Sequence, residues 1–302
     1  ITDMFKALLP FLSKYKKYAI LTPLMIVGEV LMETTIPILM AQIVDVGITQ
    51  RNIGYVLSLG GLMIVMALIS LLFGALAARF GAKAGMGFGC ELRRGLFDKI
   101  SGYSFANIDK FSSASLVTRL TTDVNTSQMA VMMGLRIAVR APFMLVTATF
   151  MAFAINHSLV SVFLVAIPIL AVALAIIATM TFPRFMAMLK KYDALNASVQ
   201  ENLRSIRVVK AFVRAPYEKE KFGKANDELM GSSIHAEKVL NFNMPVMQLV
   251  MYGCIIAILW FGGGQIIAGT MLTGELISFI SYIMQILMSL MMIAMIFIQL
   301  VM

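Results

Sequence analysis

The chain has 302 residues, of which 60% are hydrophobic and only 14% charged, and its mean hydropathy is +0.87. Water-soluble domains run near 45–50% apolar and about 25% charged, so this composition excludes a soluble globule, and the surplus apolar side chains need lipid to face. The formal net charge is +9. In so apolar a chain, that excess belongs to loops rich in Lys and Arg that meet anionic lipid, and no nucleic-acid partner is expected.

Residues 1–17 read as an interfacial helix. Met4, Phe5, Leu8, Leu9 and Leu12 recur at helical spacing and then meet Lys14, Lys16 and Lys17, which is not the pattern of a removed leader. A membrane span needs about 20 predominantly apolar residues. Six stretches qualify, at residues 18–46, 56–78, 131–155, 159–182, 239–261 and 276–302. The first is interrupted by Glu29, Glu33 and Pro37, and the third and fourth flank Asn156-His157-Ser158.

The connections at 79–130 and 183–238 are too long for turns and too regular for linkers. Leu195, Val199, Leu203, Ile206 and Val209 keep helix period. A continuation of the fourth span to about Phe212 adds about 45 Å at 1.5 Å per residue. Each connection is predicted to be a helical hairpin. The expected fold class is an all-α membrane protein with six long transmembrane helices and cytoplasmic helical extensions.

Loop charge sets the orientation. The segment before the first span carries +3. Residues 79–124 hold seven basic and four acidic side chains, and 184–240 hold eleven and seven. The alternate connections are neutral or hold a single Glu275 after Trp260. The basic ends therefore face the cytoplasm, the N-terminus among them.

Charge within the spans is costly and is usually paired or faces a cavity. Glu29 and Glu33 lie four apart on span one, and Arg136 and Arg140 lie four apart on span three, so each pair shares a helix face. Counting inward from the outer ends puts Glu29 level with Arg136 and Glu33 level with Arg140. Two readings stand: structural ion pairs between helices, or charges on a water-filled cavity wall that meets substrate. Methionine supplies 26 residues. On span six, Met284, Met288, Met291, Met292 and Met295 crowd together with Gln285 and Gln299. Met is flexible and polarizable and is overused on promiscuous binding surfaces. With Trp260, Phe279 and Tyr282, these residues are a candidate substrate pocket; the alternative is lipid-facing or packing methionine.

His157 and His235 have no metal-ligand spacing, and no metal site is expected. Cys90 and Cys254 form no motif. Gly262-Gly263-Gly264 reads as an outer turn. No catalytic residue is identified.

The motifs resemble one family. Ile43-Val44-Asp45-Val46-Gly47-Ile48, Leu92-Arg93-Arg94-Gly-Leu-Phe97, Leu116-Val-Thr-Arg-Leu-Thr-Thr-Asp123, and Glu201-Asn-Leu-Arg204 with Arg207-Val-Val-Lys-Ala-Phe212 are similar in order and spacing to the membrane domain of ATP-binding cassette exporters of the six-helix class. Leu135-Arg136, Val139-Arg140-Ala141-Pro142 and Ala257-Ile-Leu-Trp-Phe-Gly-Gly263 look most like subunits of bacterial heterodimeric multidrug exporters.

The resemblance implies a nucleotide-binding domain, with ATP and Mg, after the sixth span. It also implies a domain-swapped dimer with a second homo- or heteromeric transmembrane subunit, and a bacterial inner or plasma membrane. Asp109, Lys110, Phe111, Ser112 and Ser113 in the first hairpin, and Ala215, Pro216, Tyr217 and Glu218 in the second, would be the coupling segments seated in the ATPase domains. These residues hold no G-x-x-x-x-G-K-[ST] phosphate loop, so this chain alone is not expected to hydrolyse ATP.

The expected function is export of amphipathic small molecules by alternating access. A lipid flippase or peptide exporter of the same fold is the alternative within transport. From another class, a membrane scaffold or receptor could dock a signalling domain on its stalks.

Overall fold

The structure, a computed structural model, describes residues 8, 10–104, 111 and 113–301. Among these there is no strand, and six helices are long and apolar enough to cross a membrane. The chain is a multi-pass, all-α membrane protein. Of the predicted interfacial helix at 1–17, residues 1–7 and 9 lie outside the described residues, while residues 10–17 are helical and run directly into the first long helix.

In chain order, the 3-10 turn Ser13–Tyr15 leads into α1 (Lys16–Gln42), which ends in a π-helical segment, Ile43–Ile48. Helix α2 (Ile53–Ser101) is 49 residues long, or about 73 Å at 1.5 Å per residue. It starts on Asn52, whose side chain accepts the Tyr55 N–H at 3.1 Å as an N-cap. The short α3 (Ser113–Thr118) passes through a second π segment, Arg119–Asp123, into α4 (Val124–Ile155). Next come α5 (Val160–Arg204), α6 (Ile206–Ala211), α7 (Ala215–Asn241), α8 (Asn243–Ile267) and α9 (Thr273–Val301). The predicted continuation of the fourth span to Phe212 is thus interrupted at Ser205.

The chain divides into two compact units, residues 1–160 with 257–302, and residues 161–256. In the first, α1, α2, α4 and α9 pack together. Two apolar clusters among its described residues obey different physics. Ile26, Val30 and Ala77, with Met25, Val139, Phe143 and Met144, lie within the apolar runs. Lipid competes equally for such side chains, so close packing and polar contacts hold helices together there. Phe88, Leu92 and Val124, with Phe11, Leu12 and Leu96, lie beyond the apolar runs. There water drives burial, at about 1.5–3 kcal/mol for a full-sized apolar side chain.

Helix α9 buries Phe279, Tyr282, Ile283 and Ile286, a stripe at i, i+3, i+4 and i+7. Its hydroxyls also grip α1. Tyr282 Oη donates to the Thr34 carbonyl at 2.6 Å, and Ser278 Oγ donates to the Pro37 carbonyl. At its start, Gly274 N–H donates to Asp45 Oδ1 at 2.6 Å. A side chain at 274 would run into the Ala41 backbone and the Asp45 carboxylate, so this approach requires glycine. Glu275 reaches back to the Leu272 N–H at 3.0 Å, the carboxylate half of a capping box.

The second unit is an antiparallel pair of arms, α5 with α7. Lys191 bonds Glu228 and Lys221 bonds Glu201, each at 2.7 Å. Asn202 donates to Glu218 at 3.1 Å. These staples lie on the surface, and few side chains of the unit are buried.

Candidate functional site: an intramembrane charge cluster beside a methionine cavity

Helix α1 presents Glu29 and Glu33 one turn apart, and α4 presents Arg140 between them. Arg140 Nη1 donates to Glu29 Oε1, and Nη2 donates to both oxygens of Glu33 at 2.8 and 3.0 Å. The Arg140, Glu29 and Glu33 side chains are 27%, 15% and 36% exposed, so the cluster is partly open. Planar guanidinium donors suit such a double grip; an ammonium would lose the fork geometry. Gly74 on α2 gives Glu29 its place, because a Cβ there would lie 3.1 Å from the carboxylate oxygen.

This corrects the pairing of Glu29 with Arg136 reached by counting residues. Arg136 is exposed, its stem lies against Gly81, and it makes no ion pair among the described residues. The count assumed straight α-helices from the outer ends. The π segment Ile43–Ile48 advances less per residue, which brings both carboxylates closer to the outer end. Arg140, not Arg136, then comes level with Glu29.

Next to Arg140 is a cavity of about 240 Å³. Helix α4 lines it with Arg140, Ala141 and Met144, and α9 with Met284, Gln285, Met288, Ser289 and Met292. Gln285 Oε1 is buried there with no hydrogen-bond partner among the described residues. Such an orphan acceptor costs about 1–3 kcal/mol, which a donor entering the cavity can recover. Of the predicted pocket, Met284, Gln285, Met288 and Met292 come together. Met291 and Met295 do not line the cavity, and Trp260 is 78% exposed. Phe279 and Tyr282 are buried and serve the α1–α9 contact, since the Tyr282 hydroxyl finds its acceptor on the α1 backbone. The Gln299 side chain lies outside the described residues.

Sequence reasoning kept the charges and the methionines as separate features. It missed that residues 140, 141 and 144 share a helix face, which makes Arg140 a member of both. Among the described residues no three His, Cys, Asp or Glu side chains converge as metal ligands would.

In the second unit, α5, α6 and α7 enclose an apolar groove of about 410 Å³ whose walls include Val199, Leu203, Ile206, Val209 and Phe222. Ala215 and Glu218 line it, Pro216 lies in the first turn of α7, and the Arg214 guanidinium lies 5.5 Å from the Tyr217 ring centre. Val213 turns the corner at φ 53°, an uncommon conformation for a β-branched residue, and stands exposed with Phe212. In the first hairpin, Phe111 stacks on Tyr103 with ring centres 6.0 Å apart, and Ser113 opens α3. Asp109, Lys110 and Ser112 lie outside the described residues.

Residues 19–290 match the ABC transporter transmembrane region, and the chain belongs to that family. It is 35% identical over 274 residues to YfiB, an uncharacterized ABC transporter ATP-binding protein of Bacillus subtilis, covering 91% of this chain and 48% of the relative. It is 34% identical over 247 residues to an uncharacterized ABC transporter ATP-binding protein of Mycobacterium tuberculosis, covering 82% of this chain and 42% of the relative. The ATP-dependent lipid A-core flippase of Syntrophus aciditrophicus is 24% identical over 191 residues, 63% of this chain and 32% of that protein. The chain thus spans about half or less of the length of these relatives.

Proposed function

We propose that this chain is the membrane-spanning part of an ATP-driven exporter that moves amphipathic small molecules out of the cytoplasm by alternating access. The observation that carries this reading is the cavity between α4 and α9. Flexible methionines adapt to varied apolar shapes. The orphan Gln285 oxygen and the Arg140–Glu29–Glu33 cluster beside it offer polar anchors. In this role Arg140 positions a charged wall, while Met284, Met288 and Met292 make the apolar contact.

The basic ends of the long helices, with the N-terminus, face the cytoplasm. Phe111 and Ser113 in one hairpin, and Ala215, Pro216, Tyr217 and Glu218 in the other, seat on ATP-binding domains that hold ATP and Mg. A second transmembrane subunit completes the pathway. Nucleotide binding biases one conformation by binding it more tightly than the other, and the long helices carry that bias to the cavity.

The test is the ATPase activity of the complete transporter in lipid vesicles while hydrophobic small molecules are titrated. Stimulation or inhibition is expected, with the half-effective concentration raised several-fold by Gln285→Ala or Met288→Ala. No response to any amphipathic compound, together with a response to added lipid, would move the assignment to a flippase.

A further inference from the structure

A cluster of cations lies at the basic ends of α1 and α2. Here the apolar run of α1 begins at Tyr18 and that of α2 ends at Ala78. The two helices meet at this level: the Tyr18 and Phe80 rings lie 5.9 Å apart, and Lys83 Nζ is 5.2 Å from the centre of the Tyr18 ring. Lys17 precedes Tyr18, and Arg79 sits one turn from Lys83 on the same face of α2. Lys17, Arg79 and Lys83 are all exposed.

Among the described residues these cations have no carboxylate partner. Residues 13–18 and 79–94 together hold seven Lys and Arg against one acid, Glu91. Glu91 is already held by Lys14 at 3.0 Å and Arg94 at 3.1 Å. Arg93 is committed to the Leu120 carbonyl and the Asn125 side chain. Lys17, Arg79 and Lys83 appear in no ion pair among the described residues. Like charges one helical turn apart repel, so Arg79 beside Lys83 is an unsatisfied arrangement that an external anion would relieve.

What continues from this spot toward the apolar segment identifies the anion. Leu72 and Leu68 lie seven and eleven residues before Arg79, on the same face of α2, and both are exposed. An aromatic ring at the end of an apolar run marks the headgroup level of a bilayer. A charged pocket above an open aliphatic stripe fits a molecule with an anionic head and an acyl tail, and a free phosphate would leave the stripe unused.

We propose that Lys17, Tyr18, Arg79 and Lys83 form a binding site for the headgroup of an anionic phospholipid, with one acyl chain lying along Leu72 and Leu68. The phosphodiester takes charge-assisted hydrogen bonds from Arg79 and Lys83. Tyr18 holds Lys83 in place through its ring face, and Lys17 adds charge from α1.

The experiment is native mass spectrometry of the protein released from vesicles of equimolar phosphatidylglycerol and phosphatidylcholine. The wild type is expected to retain phosphatidylglycerol in preference. Each basic residue near an anionic surface contributes roughly fivefold to binding, so Lys17→Gln/Arg79→Gln/Lys83→Gln is expected to lower retention by roughly tenfold or more. The control, Arg204→Gln/Arg207→Gln/Lys210→Gln, removes the same charge from the other unit and leaves retention unchanged. Lys17→Arg/Arg79→Lys/Lys83→Arg keeps the charge and keeps the lipid, which separates loss of the site from loss of fold. Four results would overturn the proposal: no preference for phosphatidylglycerol in the wild type, equal losses in the triple variant and its control, loss of lipid in the charge-preserving variant, or full displacement of the lipid by millimolar inorganic phosphate.

Discussion

The two units of this chain are held together by different forces. The first locks α1, α2, α4 and α9 with buried side chains, hydroxyls on backbone carbonyls, and an arginine shared by two acids. The second keeps α5 and α7 side by side with exposed Lys–Glu staples and leaves the Thr181 and Asn243 side-chain oxygens buried without partners among the described residues. Surface ion pairs in water contribute little, whereas contacts that satisfy a polar group inside a low-dielectric interior leave a large penalty when half of the pair is lost. Stability should therefore reside in the first unit, and adaptability in the second.

The sharpest way to break this contrast is Arg140→Met. It leaves Glu29 and Glu33 facing each other one turn apart with no cation between them. A destabilisation of about 2–4 kcal/mol is expected, tempered from the fully buried case because Glu33 is 36% exposed. Thermal melting in detergent would register it. Arg136→Gln, one turn away, should change melting within about 0.5 kcal/mol. An equal loss in both variants would mean that Glu29 divides its charge between the two arginines.

Next in size is Gly274→Ala. The new methyl meets the Ala41 backbone, which cannot swing aside as a side chain can. A loss of about 1–3 kcal/mol is expected, read as a lowered melting temperature, while Gly223→Ala in the open arm of the second unit should be neutral or slightly stabilising. Asn52→Ala should cost about 1 kcal/mol by uncapping α2, seen as faster amide exchange in its first turn.

The smallest effect belongs to the staples. The hydrogen bond from Lys191, with its charge, holds the Glu228 carboxyl below the usual carboxylate range. A depressed acid stabilises the folded arm fully above its unfolded value of about 4.3. The contribution fades as pH falls through the lower folded value. Carboxyl resonances of Glu228 should titrate lower in the wild type than in Lys191→Met, with only a slight loss of melting temperature at neutral pH because the pair is exposed. A large melting loss in Lys191→Met would instead show that the arms depend on their staples.

Most of the architecture was legible from hydropathy and period alone. A 20-residue apolar run has one reading in a bilayer, and among the described residues six helices are long and apolar enough to cross one. The helical character of the basic connections was legible too, because Leu195, Val199, Leu203 and Val209 keep period. The break at Ser205 was not, since serine is tolerated within helices and only the turn that follows reveals it. The charged residues of the site were legible as a set, but their partners were not. A π segment is invisible to a residue count, and an error of less than one turn in height is enough to exchange Arg136 for Arg140. Nor did anything in the pattern mark Asp45 as the acceptor of an amide 229 positions away. Met291 and Met295 fell outside the cavity because a methionine looks the same in sequence whether it faces a cavity, a neighbour or lipid.

The π segment Arg119–Asp123 has a further consequence. Its carbonyls are spaced for bonds to the fifth residue on, and Arg93 Nε donates to one of them, that of Leu120, at 3.1 Å. Relative to an α-helix, such a turn holds one residue in surplus. Absorbing that residue into regular helix would turn everything on one side of it by about 100° about the axis. The segment thus sets the angular register between α3 and α4, and the Arg93 side chain reaches across from α2 to one of its carbonyls.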